Sequence, residues 1–221
     1  MSPGLELRDG SFSFALVGML YFFELSAVAV CAITGALEAG RRKMDLFGAS
    51  VIAFACALGG GTLRDLLLGR LPVFWIPEPM YLYVAAVTVI ATHLVTRRVQ
   101  ISARAFLLPD ALGLALFTVI GTQVSLEFRS SLPIAVVMGV VTGVFGGVVR
   151  DVLCNEVPVV FRGELYATAA LSGAVLYAVI RQAGVPTPYL LPLAGTATFG
   201  IRVAALRWKI GLPKIAPPVE I

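Results

Sequence analysis

The residues that stand out for their chemistry are charged side chains set in apolar sequence. The motif Gly-Gly-x-x-Arg-Asp occurs twice, and its charged residues are Arg64, Asp65, Arg150 and Asp151. One such residue at the centre of a bilayer costs about 2.5–3.5 kcal/mol. Four of them indicate either a polar path through a membrane, an ion-pair lock that holds helices together, or side chains that reach the membrane surface.

The two arginines are expected to find their partners on other helices. Residues i and i+1 do not face each other on a helix, so neither Arg64 nor Arg150 is expected to pair with the aspartate beside it. The candidate partners are the aspartate of the other motif, Glu24 and Asp110. Whether these charges line a pathway or lock the structure stays open at this point.

The glycines of the motif predict kinks. Gly60, Gly61, Gly146 and Gly147 fall inside predicted helices, where glycine costs about 1 kcal/mol relative to alanine. In a membrane, a broken helix is tolerated only where its free backbone groups face water or are buried in protein, and there the carbonyls can coordinate a cation. The alternative is close packing, since small residues let helix backbones approach each other.

The two motifs belong to an internal repeat with an offset of 86 residues. Between residues 60 and 73, seven of 14 positions are identical at this offset, and Pro72 matches Pro158. The same offset aligns the acidic residues Glu24 and Asp110. Chance matching of Leu and Val does not explain why Gly-Gly, Arg-Asp and Pro recur together.

The composition places this chain in a membrane. Its 221 residues are 58% hydrophobic and 14% charged, with a mean hydropathy of +0.91, whereas soluble domains are about 45–50% apolar and about 25% charged. A spanning helix needs about 20 apolar residues. The apolar stretches predict seven helices, at 12–37, 46–68, 80–96, 105–126, 132–154, 164–180 and 187–206.

Three helices in each repeat make the two copies enter the membrane from opposite sides. The predicted fold is an all-α membrane protein with two inverted three-helix repeats, 12–98 and 105–182, and a seventh helix, 187–206. Inverted repeats are found in transport proteins, with the functional site near the repeat interface. An extracellular N-terminal segment, 1–11, and a cytoplasmic tail, 207–221, complete the predicted chain.

Basic residues of the loops predict the orientation. Ten Lys and Arg residues lie on the side of the C-terminus and four on the side of the N-terminus. The positive-inside rule therefore puts the N-terminus outside and the C-terminus in the cytoplasm. The net charge of +4 is explained by basic residues in cytoplasmic loops, so we expect no nucleic acid as a partner. We also expect no soluble protein as a partner. The basic cluster 41–43 suits anionic lipid, although topology determination explains it equally well.

The sequence contains few residues of the types that catalyse reactions or bind metal ions. The chain has one histidine, and its three cysteines, Cys31, Cys56 and Cys154, are far apart. It contains no CxxC or HExxH motif and no Ser/His/Asp constellation. We therefore expect no enzyme, no metal site and no cofactor, the expected ligands being a permeant potassium or sodium ion and membrane lipid.

The repeated motif, the two prolines that follow it and the seventh helix resemble the prokaryotic TRIC family of trimeric intracellular cation channels, a family also labelled glycine transporters. The resemblance covers about residues 14 to 206. It implies a homotrimer with one pore per protomer, permeable chiefly to potassium and bounded by kinked second and fifth helices. The short loops suit a bacterial or archaeal plasma membrane. We predict that the charged residues of the motifs govern conduction or gating and that the glycines set the kinks.

Two other functions fit the same residues. A secondary transporter of glycine or another small zwitterion also needs a polar path at a repeat interface, and paired Arg and Asp side chains suit carboxylate and ammonium groups. A purely structural membrane protein would carry no flux. Unitary currents identify a channel, whereas saturable uptake identifies a transporter.

Overall fold

A computed structural model describes residues 10–99 and 106–212 of the chain. Within these ranges the chain forms seven α-helices, which confirms the predicted number. Most of the predicted segment 1–11, the start of the predicted fourth helix at residue 105 and most of the tail 207–221 lie outside the described residues. The helices are α1 Gly10–Arg41, α2 Leu46–Leu68, α3 Met80–Arg98, α4 Leu107–Glu127, α5 Leu132–Leu153, α6 Ala167–Gln182 and α7 Thr187–Trp208.

Six of these helices, all except α6, are long and apolar enough to cross a membrane. Helix α6 has 16 residues, or about 24 Å at 1.5 Å per residue. Helix α6 begins three residues after its predicted start at residue 164, because residues 163–166 form a turn, a bridge and bends rather than helix. There Glu164 forms a β-bridge with Gly211, and the Leu212 N–H donates to the Gly163 carbonyl at 2.7 Å.

Local signals at the helix ends explain several of the boundaries. The side chain of Asp45 accepts a hydrogen bond from the Gly48 N–H at 2.7 Å and caps the start of α2. Helix α2 ends at Gly69, whose φ of 68° is the left-handed conformation that glycine adopts without penalty. A short 3-10 turn, Val159–Phe161, lies in the connection between α5 and α6.

Helix packing follows the repeat. Helix α1 packs against α2 and α3, and α4 packs in the same way against α5 and α6, while α1 meets α4 and α2 meets α5. Helix α7 has no counterpart and packs on α4 and α6. As a result, 67% of the residues in the apolar window of α4 are buried, against 39% for its counterpart α1.

Contacts between helix ends define one end of the bundle. The end of α1, the start of α2, the last turns of α3 and the residue before α4 line one cavity there, and Leu212, after α7, bonds Gly163, before α6. We call the end where α7 finishes the C-terminal end; α1, α3 and α5 also finish there, and α2, α4 and α6 begin there. An ion pair between Arg42, after α1, and Glu156, after α5, joins two connections at this end. The motif of α5 consequently lies towards the C-terminal end, and the motif of α2 lies towards the opposite, N-terminal end.

Candidate functional site

The motif glycines bring the backbones of α2 and α5 into contact. A Cβ atom on Gly60 would fall far inside van der Waals distance of the Thr142 carbonyl oxygen, and one on Gly146 would meet the Cys56 carbonyl oxygen in the same way. Cys56 and Thr142 are themselves 86 residues apart. The two repeats therefore cross through equivalent, reciprocal contacts.

The second glycine of each motif leaves space for an aromatic side chain. A Cβ atom on Gly61 would lie 2.6 Å from the Phe74 ring, and one on Gly147 would lie 2.9 Å from the Tyr166 hydroxyl. Helices α2 and α5 continue without interruption through their glycines. Neither helix is broken there, and close packing accounts for the contacts of all four glycines. A kink at these positions stays a prediction.

At the N-terminal end, Arg64 and Asp65 pair with each other. The Arg64 Nε donates to Asp65 Oδ1 at 2.9 Å, and both residues are at most 1% exposed. The other carboxylate oxygen, Oδ2, accepts the Phe74 N–H at 2.8 Å, and the guanidinium lies 5.7 Å from the Phe74 ring centroid. Arg70 adds a longer contact to Oδ1 at 3.5 Å. The pair thus fastens the loop after α2 to the end of that helix.

At the C-terminal end, Arg150 and Asp151 repeat this geometry. The Arg150 Nε donates to Asp151 Oδ1 at 2.9 Å, and Asp151 Oδ2 accepts the Val159 N–H at 3.0 Å. Arg150 has a second carboxylate as well, because its Nη1 donates to Asp110 Oδ1 at 2.6 Å. The Phe106 ring centroid lies 5.4 Å from the guanidinium.

Both arginines pair with the aspartate beside them, contrary to expectation. The expected partner on another helix is present for Arg150, which also binds Asp110 of α4. The side chain of arginine is long enough to fold back along the helix, and the aspartate turns towards the loop after the helix, so Arg64 meets Asp65 and Arg150 meets Asp151. The contacts of each pair stay within its own repeat, so these ion pairs do not form a lock between repeats. Their role in conduction or gating stays a prediction.

One of the two further acidic candidates is an arginine partner. Asp110 binds Arg150, as predicted. Glu24 instead accepts a hydrogen bond from the Tyr81 hydroxyl at 2.5 Å, and the Tyr81 ring packs against Phe74 at a centroid distance of 4.9 Å. Glu24 therefore contacts the aromatic residues that pack beside Arg64 and Asp65 and does not pair with the Arg64 guanidinium.

Sequence reasoning missed a connection from α7 to the group formed by Asp110, Arg150 and Asp151. Arg202 is 1% exposed, and its Nη2 donates to Glu164 Oε2 at 2.6 Å. The guanidinium lies 4.9 Å from the Tyr166 ring centroid, and the Tyr166 hydroxyl is 3.5 Å from Asp110 Oδ1. Burial and the neighbouring Asp110 raise the pKa of Tyr166 well above its usual value, so its hydroxyl stays a neutral donor. A basic residue inside an apolar stretch was the available signal for Arg202.

The cysteines behave as small buried hydrophobes. Cys31, Cys56 and Cys154 are all buried and free, and the Thr34 hydroxyl lies 3.4 Å from the Cys56 sulfur. Within residues 10–99 and 106–212, no group of three or more His, Cys, Asp and Glu residues is placed to hold a metal ion.

A cavity of about 370 Å³ lies at the C-terminal end. It is bounded by the end of α1, the start of α2, the last turns of α3 and the residue before α4. Its polar and aromatic lining residues include Arg41, Asp45, Thr92, His93, Thr96 and Phe106. Phe106 belongs to this cavity and also contacts the buried Arg150.

Comparison with known proteins identifies similar chains. A family model described as Glycine transporter matches residues 21–97 and 107–182. A UPF0126 membrane protein of Vibrio cholerae is 43% identical over 90% of this chain and 83% of its own length. The inner membrane protein YadS of Escherichia coli K12 is 40% identical, over 90% and 97%. The crystal structure of a TRIC trimeric intracellular cation channel orthologue from Rhodobacter sphaeroides is 38% identical, with a TM-score of 0.83 over 87% of this chain and 99% of that one.

Proposed function

Because the chain belongs to the prokaryotic TRIC family, whose family model carries the description Glycine transporter, we propose that it is a monovalent cation channel of the cell membrane. The observation that carries the proposal is the likeness to a solved TRIC cation channel over almost the full length of both chains. The name of the Escherichia coli relative supports the inner membrane as the location. No enzyme activity is part of the proposal.

The fold proposed for this channel is a pair of inverted repeats. Two observations support it: the family model matches two stretches that start 86 residues apart, and the crossing of α2 and α5 is made by equivalent residues of the two repeats. Helix α7 lies outside the repeats. The proposed orientation keeps the N-terminus outside and places the C-terminal end of the bundle in the cytoplasm.

The proposed assembly is a homotrimer with one pore in each protomer, in contact with membrane lipid. The trimer is carried over from the solved TRIC channel that this chain resembles. Since the α2 and α5 backbones touch at Gly60 and Gly146, the pathway runs beside this crossing rather than through it. The buried charge clusters of Arg64 and Arg150 then lie towards its two ends.

Potassium is the proposed permeant ion, and flux into liposomes tests this. We expect purified protein in liposomes to carry potassium electrogenically down an imposed gradient and to take up no labelled glycine. Potassium flux should continue without any coupled ion, because a channel needs none. Saturable glycine uptake without an uncoupled current would instead identify a transporter and reject the channel.

The same liposomes test the charged residues of the motifs. Replacing Asp65 or Asp151 with Asn keeps the side-chain shape and removes one buried charge. We expect potassium flux to fall about tenfold, which corresponds to about 1.4 kcal/mol. Glu127→Gln, which removes an exposed carboxylate at the end of α4 outside the two clusters and the cavity, is the control. If both motif variants match wild-type flux while staying folded, the aspartates have no role in conduction.

A further inference from the structure

The buried cluster at the C-terminal end carries more negative than positive charge. It contains the carboxylates of Asp110 and Asp151 and the guanidinium of Arg150, a formal balance of −1, and each residue is at most 5% exposed. The neighbouring Glu164 and Arg202 neutralise each other, and the nearby Tyr166 hydroxyl is uncharged. An uncompensated charge in a low-dielectric interior is costly unless a counter-charge accompanies it.

The equivalent cluster at the N-terminal end has no such excess. Arg64 and Asp65 balance one to one, and Arg70 adds a positive charge at 3.5 Å. Glu24, which the repeat aligns with Asp110, is only half-buried and accepts the Tyr81 hydroxyl. The uncompensated negative charge is therefore a property of the α4–α5 half.

A single carboxylate oxygen is left to carry that excess. Both oxygens of Asp151 accept hydrogen bonds, and so do both oxygens of Asp65. The Oδ1 atom of Asp110 faces Arg150 at 2.6 Å and Tyr166 at 3.5 Å. Its Oδ2 atom is buried and has no hydrogen-bond partner among the described residues.

Phe106 connects this buried carboxylate cluster with the cavity at the same end. Its ring centroid lies 5.4 Å from the Arg150 guanidinium, which holds Asp110, and 5.5 Å from the guanidinium of Arg41, which lines the cavity. An ion entering from the cavity would thus meet the Phe106 ring before the Asp110 carboxylate.

We infer that Asp110 Oδ2 is a binding site for a monovalent cation that enters from this cavity past Phe106. Asp151 neutralises Arg150, so the charge of Asp110 remains for the ion, and one bound monovalent cation brings the cluster to neutrality. A divalent ion fits less well, because it would leave the buried cluster with a formal charge of +1. The inference rests on the proposed function and names an ion site within it.

Thermal unfolding of the purified protein in detergent tests the site without any flux. A ligand that binds only the folded state raises the melting temperature by mass action. We expect the wild type to melt higher in potassium chloride than in choline chloride of equal ionic strength, by about 3 °C at ten times the dissociation constant. Asp110→Asn should remove this difference, whereas Glu24→Gln, the equivalent change in the other repeat, should keep it.

A crystallographic measurement keeps the test independent of the variants. Thallium(I) is a heavy substitute for potassium, and crystals of the wild type soaked in it should give an anomalous peak in contact with Asp110 Oδ2. Three results would each overturn the site. The wild type could melt at the same temperature in both salts, the Asp110→Asn variant could keep the potassium effect, or the crystals could show no anomalous peak at Asp110. Absence of electrogenic potassium flux in liposomes would instead reject the channel, and the two failures are therefore distinguishable.

Discussion

Replacing Gly60 with alanine is expected to destabilise the protomer, while the same change at the adjacent Gly59 is expected to stabilise it. A Cβ atom on Gly60 would overlap the Thr142 carbonyl oxygen, so α2 and α5 would have to separate. Overpacking of this kind costs about 1–3 kcal/mol. A Cβ atom on Gly59 would meet only Val149, at 3.8 Å, and alanine gains up to about 1 kcal/mol over glycine in a helix.

The fraction of protein that stays monodisperse after heating in detergent measures both effects. Gly59→Ala is the matched control, because it makes the same chemical change one residue away. Gly146→Ala should resemble Gly60→Ala, since its Cβ atom would meet the equivalent carbonyl, that of Cys56. Equal shifts in the same direction for Gly59→Ala and Gly60→Ala would contradict the backbone contact at this crossing.

The sequence identified these glycines but could not decide what they do. A run of glycines in an apolar helix is compatible with a break and with close packing, because both need the absence of a side chain. The decision depends on which backbone lies opposite Gly60, and that backbone is 82 residues further along the chain, at Thr142. The repeat pointed to equivalent roles for Gly60 and Gly146, and their reciprocal contacts agree with this.

The sequence predicted the helices well where residues close to each helix end determine its boundary. Apolar length and the polar loops gave all seven helices in the described part of the chain, and Asp45 and Gly69 provide the usual signals at the two ends of α2. The start of α6 was missed because it depends on pairing between Glu164 and Gly211. That contact joins residues far apart in sequence and leaves no periodic pattern.

The environments of the two charged motifs were not predictable from their similarity. The i, i+1 rule describes where side chains leave a helix, and it underestimated the reach of Arg64 and Arg150 along the helix surface. The repeat also suggested equal surroundings for Glu24 and Asp110. They differ because α7 packs on α4 and leaves α1 more exposed, which buries Asp110 and leaves Glu24 half-buried.

This asymmetry predicts that Arg150→Ala destabilises the protein more than Arg64→Ala. Without Arg150, the carboxylates of Asp110 and Asp151 lose their guanidinium, and two buried negative charges remain. Removing one partner of a buried ion pair costs about 3–5 kcal/mol, which is a large share of the about 5–15 kcal/mol by which typical proteins are stable. Without Arg64, Asp65 still has Arg70 at 3.5 Å and the Phe74 N–H.

The yield of folded protein and its melting temperature in detergent measure the difference in stability between Arg150→Ala and Arg64→Ala. A second substitution that removes a charge tests whether the unpaired carboxylates cause it. Adding Asp110→Asn to Arg150→Ala removes one of the two stranded charges, so the double variant should be more stable than Arg150→Ala alone. A loss of packing around the missing arginine would be the same in both and would give no such recovery. Equal destabilisation by Arg64→Ala and Arg150→Ala, or a double variant no more stable than Arg150→Ala, would show that charge balance in this cluster does not limit stability.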